Sequence, residues 1–223
     1  MLEQLLFHLA DNGEATSFAS SLRKARVRKF GELLQGANGE LRILDVGGTG
    51  AFWQRYRDEL PTRVTITVLN KSHHERPPTP WISYVYGDAR QMHMFGNRDF
   101  DICFSNSVIE HVGTIDDQLR MAEEIRRVAR GYFVQTPNAY FPVEPHFLIP
   151  GWQLAPVALR AWLLQRRDLG WMKRVEDRRQ ARDVVESIHL LSVNQLRRLF
   201  PDGRIYRENI GPFTKSITVW RPI

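Results

Sequence analysis

The chain has 223 residues, 43% of them hydrophobic and 25% charged, so it can bury a proper core and is not broadly disordered. A single cysteine, Cys103, excludes an internal disulfide and a cysteine-based zinc site. The formal charge of +6 favours anionic partners weakly, and no apolar run approaches the roughly 18–20 residues that span a bilayer.

Residues 1–39 read as a basic helical cap. The opening MLEQLLFHLADNGE has an acid at Glu3 and no small-residue cleavage site, so a signal peptide is not expected. Thr16 or Ser17 can cap a helix to about Leu34. Phe18, Leu22, Val27, Phe30, Leu33 and Leu34 form its apolar face, and Arg23, Lys24, Arg26, Arg28 and Lys29 its wet side. Gly36 and Gly39 end it.

Residues 40–137 alternate strand and helix. Leu41–Val46 is a strand, a glycine turn follows, and a helix over Ala51–Leu60 stops at Pro61. Val64–Leu69 is the next strand, followed by a polar loop with His73, His74, Pro77, Pro78 and Pro80. Ile82–Tyr86 and Phe100–Ser105 are strands. A helix over Asp116–Arg130 places Leu119, Ala122, Ile125 and Ala129 on one face and Gly131 past its end. Tyr132–Thr136 is a strand closed by Pro137-Asn138. This alternation predicts an α/β fold with a parallel sheet wound on both faces.

Residues 138–191 break the pattern with prolines, aromatics and arginines, and Pro156 opens a helix toward Gln165. In residues 192–223, Ser192 caps a helix over Val193–Phe200. Arg204–Glu208 and Ser216–Trp220 then pair as closing strands.

The strongest chemical signal is Ile43-Leu44-Asp45-Val46-Gly47-Gly48-Thr49-Gly50, between a strand and a helix. Glycines there let the backbone turn sharply and approach a ligand, and the helix start adds N–H donors. A dinucleotide turn wants a third glycine where Trp53 stands, which argues against a pyrophosphate cradle. A nucleoside with an amino-acid tail wants an acid near the strand end to meet an ammonium, and Asp45 is placed for it.

Together with YGDARQM after the third strand and FDICFSNSVIEHVG at the fourth, this turn resembles the class I S-adenosylmethionine-dependent methyltransferases, in the branch with small-molecule and quinone enzymes. The resemblance covers residues 40–137 and more loosely 192–223. It implies a Rossmann-like, doubly wound, mostly parallel seven-stranded sheet with an antiparallel C-terminal strand and a helical lid over 138–191, in a cytoplasmic protein. S-adenosylmethionine is the implied cofactor. Gly47, Gly48, Thr49 and Gly50 would line its methionine end and Asp45 would meet its ammonium. Asp88 would accept from the adenine amino group, with the backbone N–H of Ala89 beside it, and Asn106 and Ser107 would floor the pocket near the sulfonium. Two departures stand out. The glycine turn is one residue short, and Asn70 occupies the place of the acid that grips the ribose hydroxyls; an amide bonds hydroxyls without charge assistance.

Methyl transfer to a hydroxyl benefits from a base. His146 with Glu144 is the preferred pair, and His111 is a second candidate, more structural in character. No metal is expected, because Glu110 and His111 alone make two ligands. The aromatic and basic stretch 152–182 suits a small or lipid-linked acceptor, or peripheral contact with an anionic membrane. A plain helical cap with solvated arginines is the competing reading of it. For the whole chain, a methyltransferase acting at oxygen is the first expectation. A non-catalytic binding module that kept the fold is the second. An RNA methyltransferase is the third, disfavoured because +6 is modest for a nucleic-acid enzyme.

Overall fold

The computed structural model describes residues 18–35, 39–72 and 79–223. The expected cap at Thr16 or Ser17, the stop at Gly36, and His73, His74, Pro77 and Pro78 lie outside the described residues.

In chain order the elements are α1 (Phe18–Leu34), β1 (Leu41–Val46), α2 (Gly50–Arg55), a 3-10 turn at Arg57–Glu59, β2 (Val64–Asn70), β3 (Ile82–Tyr86) and β4 (Phe100–Asn106). A second 3-10 turn at Ile109–His111 leads into α3 (Ile115–Val128) and β5 (Ala129–Pro137). The insertion carries a two-residue hairpin, β6 (Val143–Glu144) and β7 (Ile149–Pro150), a 3-10 turn at Trp152–Leu154, α4 (Val157–Leu164) and α5 (Arg178–Glu186). The chain then forms α6 (Val193–Leu199), β8 (Arg204–Ile210) and β9 (Phe213–Arg221).

Seven strands form one sheet in the order β3-β2-β1-β4-β5-β9-β8. β1 to β5 are mutually parallel, and β9 runs antiparallel to both of its neighbours. Strand order reverses between β1 and β4, so the loops after these strands diverge and open a crevice at their carboxyl ends. Alternation along the strands supplies two cores. Leu44, Val46, Cys103, Tyr132 and Val134 pack under α3 and α6, whereas Ile43, Ile102, Phe104 and Phe133 pack against Val27 and Phe30 of α1 and Trp53 of α2. A third apolar cluster belongs to the insertion, where Phe147 stacks on Trp152 with ring centroids 4.4 Å apart. Among the described residues no helix is long and apolar enough to cross a membrane.

Several local expectations are revised. The helix after the glycine turn stops at Arg55, where Tyr56 leaves helical geometry and a 3-10 turn takes over. α3 ends at Val128 and β5 begins at once, so Ala129 and Arg130 are strand residues. Its buried stripe is Gln118, Met121, Ala122, Ile125 and Val128; Leu119 faces solvent. Helix α5 and the β6–β7 hairpin have no counterpart in the sequence reading. α5 is strongly amphipathic, but it holds as many arginines as apolar residues and only Ala181 and Val185 are buried.

Arg26 is not on the wet side of α1. It is 7% exposed and forks onto the Glu208 carboxylate of β8 with bonds of 3.0 and 3.1 Å. Both of those come from Nη2; Nη1 donates to Asn106 Oδ1 at 2.6 Å and Gln135 Oε1 at 3.2 Å. One buried cation thus ties α1 to three strands. Removing it leaves the buried carboxylate with only the Ser216 hydroxyl at 3.1 Å and Lys215 at 4.0 Å. Arg26→Met should lower unfolding free energy by about 3–5 kcal/mol, and adding Glu208→Gln should restore part of the loss, as read from urea denaturation midpoints.

Candidate active site

A cleft of about 540 Å³ opens at the carboxyl ends of β1, β2 and β4 and beside the loop after β3. Gly47, Leu69, Asn70, Asp88, Ala89, Ser107, Val108 and His111 are among the residues that wall it. Sequence reading had tied all of these except Leu69 and Val108 to cofactor or catalysis.

The glycine turn is built against its own protein. Gly47 has φ of +80°, donates to Leu69 O at 2.7 Å, and would place a Cβ only 2.6 Å from the Val108 methyls. A Cβ on Gly48 would fall 1.7 Å from Asp45 Oδ2, and one on Gly50 would meet the Tyr84 hydroxyl. Thr49 caps α2 by accepting from Phe52 N at 3.3 Å. Of the four, Gly47 alone is on the cleft wall.

Asp45 is 1% exposed and lies beneath the turn. Its Oδ2 accepts from Trp53 Nε1 at 2.7 Å, and its Oδ1 has no partner among the described residues. Burial lifts its pKa to about 7, against the opposing pull of the indole N–H. Asn70 also faces the turn. Its amide donates to Gly47 O at 3.2 Å and Gly48 O at 2.9 Å, while its Oδ1 accepts from Ser72 N at 3.0 Å. A carboxylate could not make the first two bonds.

Asp88 stands on the cleft wall already engaged. Burial would raise its pKa, but the fork from Arg90 and the Lys71 ammonium at 2.9 Å hold it well below the usual carboxylate range. Ala89 sits beside it on the wall. Ser107 adopts φ of +55° at the end of β4 and donates to Gln135 Oε1 at 3.0 Å. Asn106 points its side-chain oxygen at Arg26 and is not on the cleft wall.

Beyond Ser107 the fold assembles the three residues singled out for catalysis. His111 comes from the 3-10 turn after β4, Glu144 and His146 from the hairpin after β5. Glu144 is 2% exposed; its Oε2 accepts from the backbone N–H groups of His146 and Phe147, and its Oε1 meets His146 Nδ1 at 2.7 Å. His146 Nε2 lies 3.1 Å from His111 Nε2. Burial works against the charged form of His146, but the Glu144 contact outweighs it and raises the pKa; burial and then the His146 charge push His111 down to about 4. Neighbouring Glu110 was considered in the sequence only as half of a two-ligand set. It is fully buried, its pKa lifted to about 7 by burial, with Oε2 bonded to Thr136 Oγ1 and Oε1 without a partner. Glu110, His111 and His146 each bring one ligand atom within 4.8 Å of the others. Two imidazoles and a carboxylate suit zinc or a similar divalent ion, so the set is larger than the two ligands counted in the sequence.

The Asp45 proton has a measurable consequence. The native state keeps it up to about pH 7, whereas the unfolded chain releases it near the ordinary carboxylate value. Native protein therefore binds more protons in that interval, and stability falls as pH rises through it. Asp45→Asn keeps an oxygen for Trp53 and removes the titration. Its unfolding free energy should fall less between pH 4 and 8 than that of the wild type, by about 2–4 kcal/mol, with the remaining slope due to Glu110 and others; denaturant titrations across that range give the comparison.

Residues 44–134 match the family described as "Methyltransferase domain". Two uncharacterised proteins from strains of Mycobacterium tuberculosis are 41% identical over 51 residues, which is 23% of this chain and 17% of theirs; the chain thus matches under a fifth of the length of these curated relatives. In overall structure the chain is similar to an S-adenosylmethionine-dependent methyltransferase from Mesorhizobium loti (TM-score 0.54, 16% identity, 89% of this chain and 98% of that one). It is also similar to an O-methyltransferase family protein from Burkholderia thailandensis (TM-score 0.53, 10% identity, 92% of this chain and 56% of that one). At these identities the structural likeness speaks for the fold. The family match over residues 44–134 and the cleft beside the glycine turn thus make this part of the chain similar to a methyltransferase domain, on a fold shared with S-adenosylmethionine-dependent methyltransferases.

Proposed function

We propose that the chain moves a methyl group from S-adenosylmethionine to a hydroxyl of a small or lipid-like acceptor, with Glu144, His146 and His111 acting as the proton acceptor. The observation that carries this reading is the unbroken chain of contacts from the cleft wall at His111, through His146, to the buried Glu144.

The residues present fit the cofactor in most respects. Gly47 presents bare backbone to the cleft where a Cβ would collide with Val108. Leu69, Ala89 and Val108 offer apolar walls for a purine, and Asp88 would meet its amino group by exchanging a Lys71 or Arg90 contact. Asp45 supports the turn from beneath, and Asn70 does so from the side. When bound, the cofactor supplies an electrophilic methyl on a sulfonium leaving group.

The protein's own part is proton removal and orientation. His146 donates from Nδ1 to Glu144, so in the neutral pair its Nε2 accepts from His111 Nε2. A proton arriving on His111 drives the shared proton onto His146. There the Glu144 carboxylate, fixed by two backbone N–H groups, stabilises the imidazolium. Ser107 and Gln135 stiffen the end of β4 beside it.

S-adenosylhomocysteine should give a calorimetric binding isotherm with the wild type; a folded protein that gives no heat ends the methyltransferase reading. His146→Ala and Glu144→Gln should lower isotopic methyl transfer to a panel of phenols and lipid alcohols by about 10²-fold or more, with nucleoside affinity unchanged. Wild-type rates in both variants would remove the relay. Loss of activity on chelation with recovery on added zinc would reassign the two histidines and Glu110 as metal ligands.

A second reading concerns where the acceptor is met. Helix α4 turns Leu159 and Trp162 outward, and Leu154 just before it is 90% exposed. The Arg166 guanidinium lies 3.8 Å from the Trp162 ring centre. Exposed aliphatic and indole surface beside arginine suits an anionic lipid interface. The wild type should float with phosphatidylglycerol-containing vesicles and less with pure phosphatidylcholine, and a Leu154→Asp/Trp162→Glu double variant should stay in the pellet fraction with both. Equal flotation of the double variant and the wild type would exclude the surface.

A further inference from the structure

A second cavity, of about 240 Å³, lies inside the insertion, with Glu144, the partner of His146, on its wall. Its walls include the apolar side chains of Phe147, Val185, Ile188 and Leu190. Polar side chains join them: Glu144, Trp152, Gln153, Arg160 and His189. Glu144 has three of its acceptor sites engaged, by the His146 ring and two backbone N–H groups.

Two of these residues present donors with nothing to donate to among the described residues. Trp152 is 2% exposed and its Nε1 has no hydrogen-bond partner there. Arg160 Nε is likewise buried and unpartnered among the described residues. A buried donor left unmade costs about 1–3 kcal/mol, so two in one small cavity call for an explanation. Burial also works to lower the Arg160 pKa, opposed only by the more distant fields of Glu144 and Glu186. An anion in the cavity would relieve both deficits.

We propose that this cavity is a binding site for a small apolar molecule bearing a carboxylate, whose oxygens take the indole N–H of Trp152 and the guanidinium of Arg160. A monoanion matches the single guanidinium. A phosphate dianion would bring a second charge against the Glu144 wall and would waste the apolar lining. A neutral amide would satisfy the indole but leave the guanidinium without a counter-charge. The site stands whether or not the cleft performs methyl transfer.

The test uses the full ¹⁵N-labelled chain with benzoate as probe, benzamide as its neutral counterpart and inorganic phosphate as a bare anion. The Trp152 indole resonance is assigned by its loss in Trp152→Phe. Benzoate should shift it in a saturable way, benzamide should bind about tenfold more weakly or worse, and phosphate should leave it in place. Arg160→Gln should weaken benzoate by about tenfold or more, Arg160→Lys by less, with the S-adenosylhomocysteine isotherm unchanged in both. An unmoved indole resonance at benzoate saturation limits, equal affinity for benzoate and benzamide, or a shift with phosphate alone would overturn the assignment. If Arg160→Gln does not fold, the benzoate and benzamide comparison on the wild type decides by itself. Failure of S-adenosylhomocysteine to bind, with benzoate binding intact, would sink the methyl-transfer reading and leave this one standing.

Discussion

The geometry of the cleft depends on how one short turn is held down. Residues 47–50 reverse the chain from β1 into α2, and two polar side chains grip that turn from different sides. Asp45 lies under Gly48, fixed by the Trp53 indole, so close that no Cβ fits between. Asn70, at the end of the neighbouring strand, donates to two successive carbonyls of the turn. Neither bond alone is worth more than about 1–2 kcal/mol. Their effect is positional, because together they leave Gly47 as the exposed backbone of the cleft and Val108 as the wall opposite.

This arrangement changes the meaning of two departures from the family pattern. A turn one residue short brings Gly48 onto Asp45, and the carboxylate then needs a donor that fits an apolar, aromatic environment. The indole at position 53, which argued against a dinucleotide, supplies it. The amide at position 70 is the second half of the same solution. An acid there would set carboxylate oxygens against the carbonyls of Gly47 and Gly48 in a partly buried site, an electrostatic conflict with no donor to resolve it. Asn70 thus reads as a turn-holding residue first, and whatever it offers a ribose is what the amide has left over.

Much of the fold was legible because its signals are local. The β-branched runs, the glycine and proline stops and the Ser192 cap with Gln195 all act within a few residues, and the sheet follows from their alternation. The insertion was less legible. Helix α5 buries only Ala181 and Val185 and most of its other residues are charged, so its apolar stripe is too thin to stand out in the sequence. Arg26 was misplaced because sequence periodicity cannot show that a bidentate partner 182 residues away will follow it into the core. In the site, Glu144, His146 and His111 could each be named from residue type and position near strand ends. Their contact could not, since it depends on a hairpin that folds the chain back after β5. Glu110 had a signal in its adjacency to His111, but its burial and its lone oxygen come only from packing against Thr136.

The unsatisfied polar atoms show where this protein tolerates cost. Asp45 Oδ1 and Glu110 Oε1 are acids whose raised pKa values let a proton stand in for a missing partner near neutrality, so their penalty is limited by protonation. Trp152 Nε1 and Arg160 Nε have no such escape, because an indole cannot shed its proton and a guanidinium holds its own at any physiological pH. Folding alone would favour replacing both with apolar residues of similar size. Their place side by side on one cavity wall is met by something outside the chain that accepts from both.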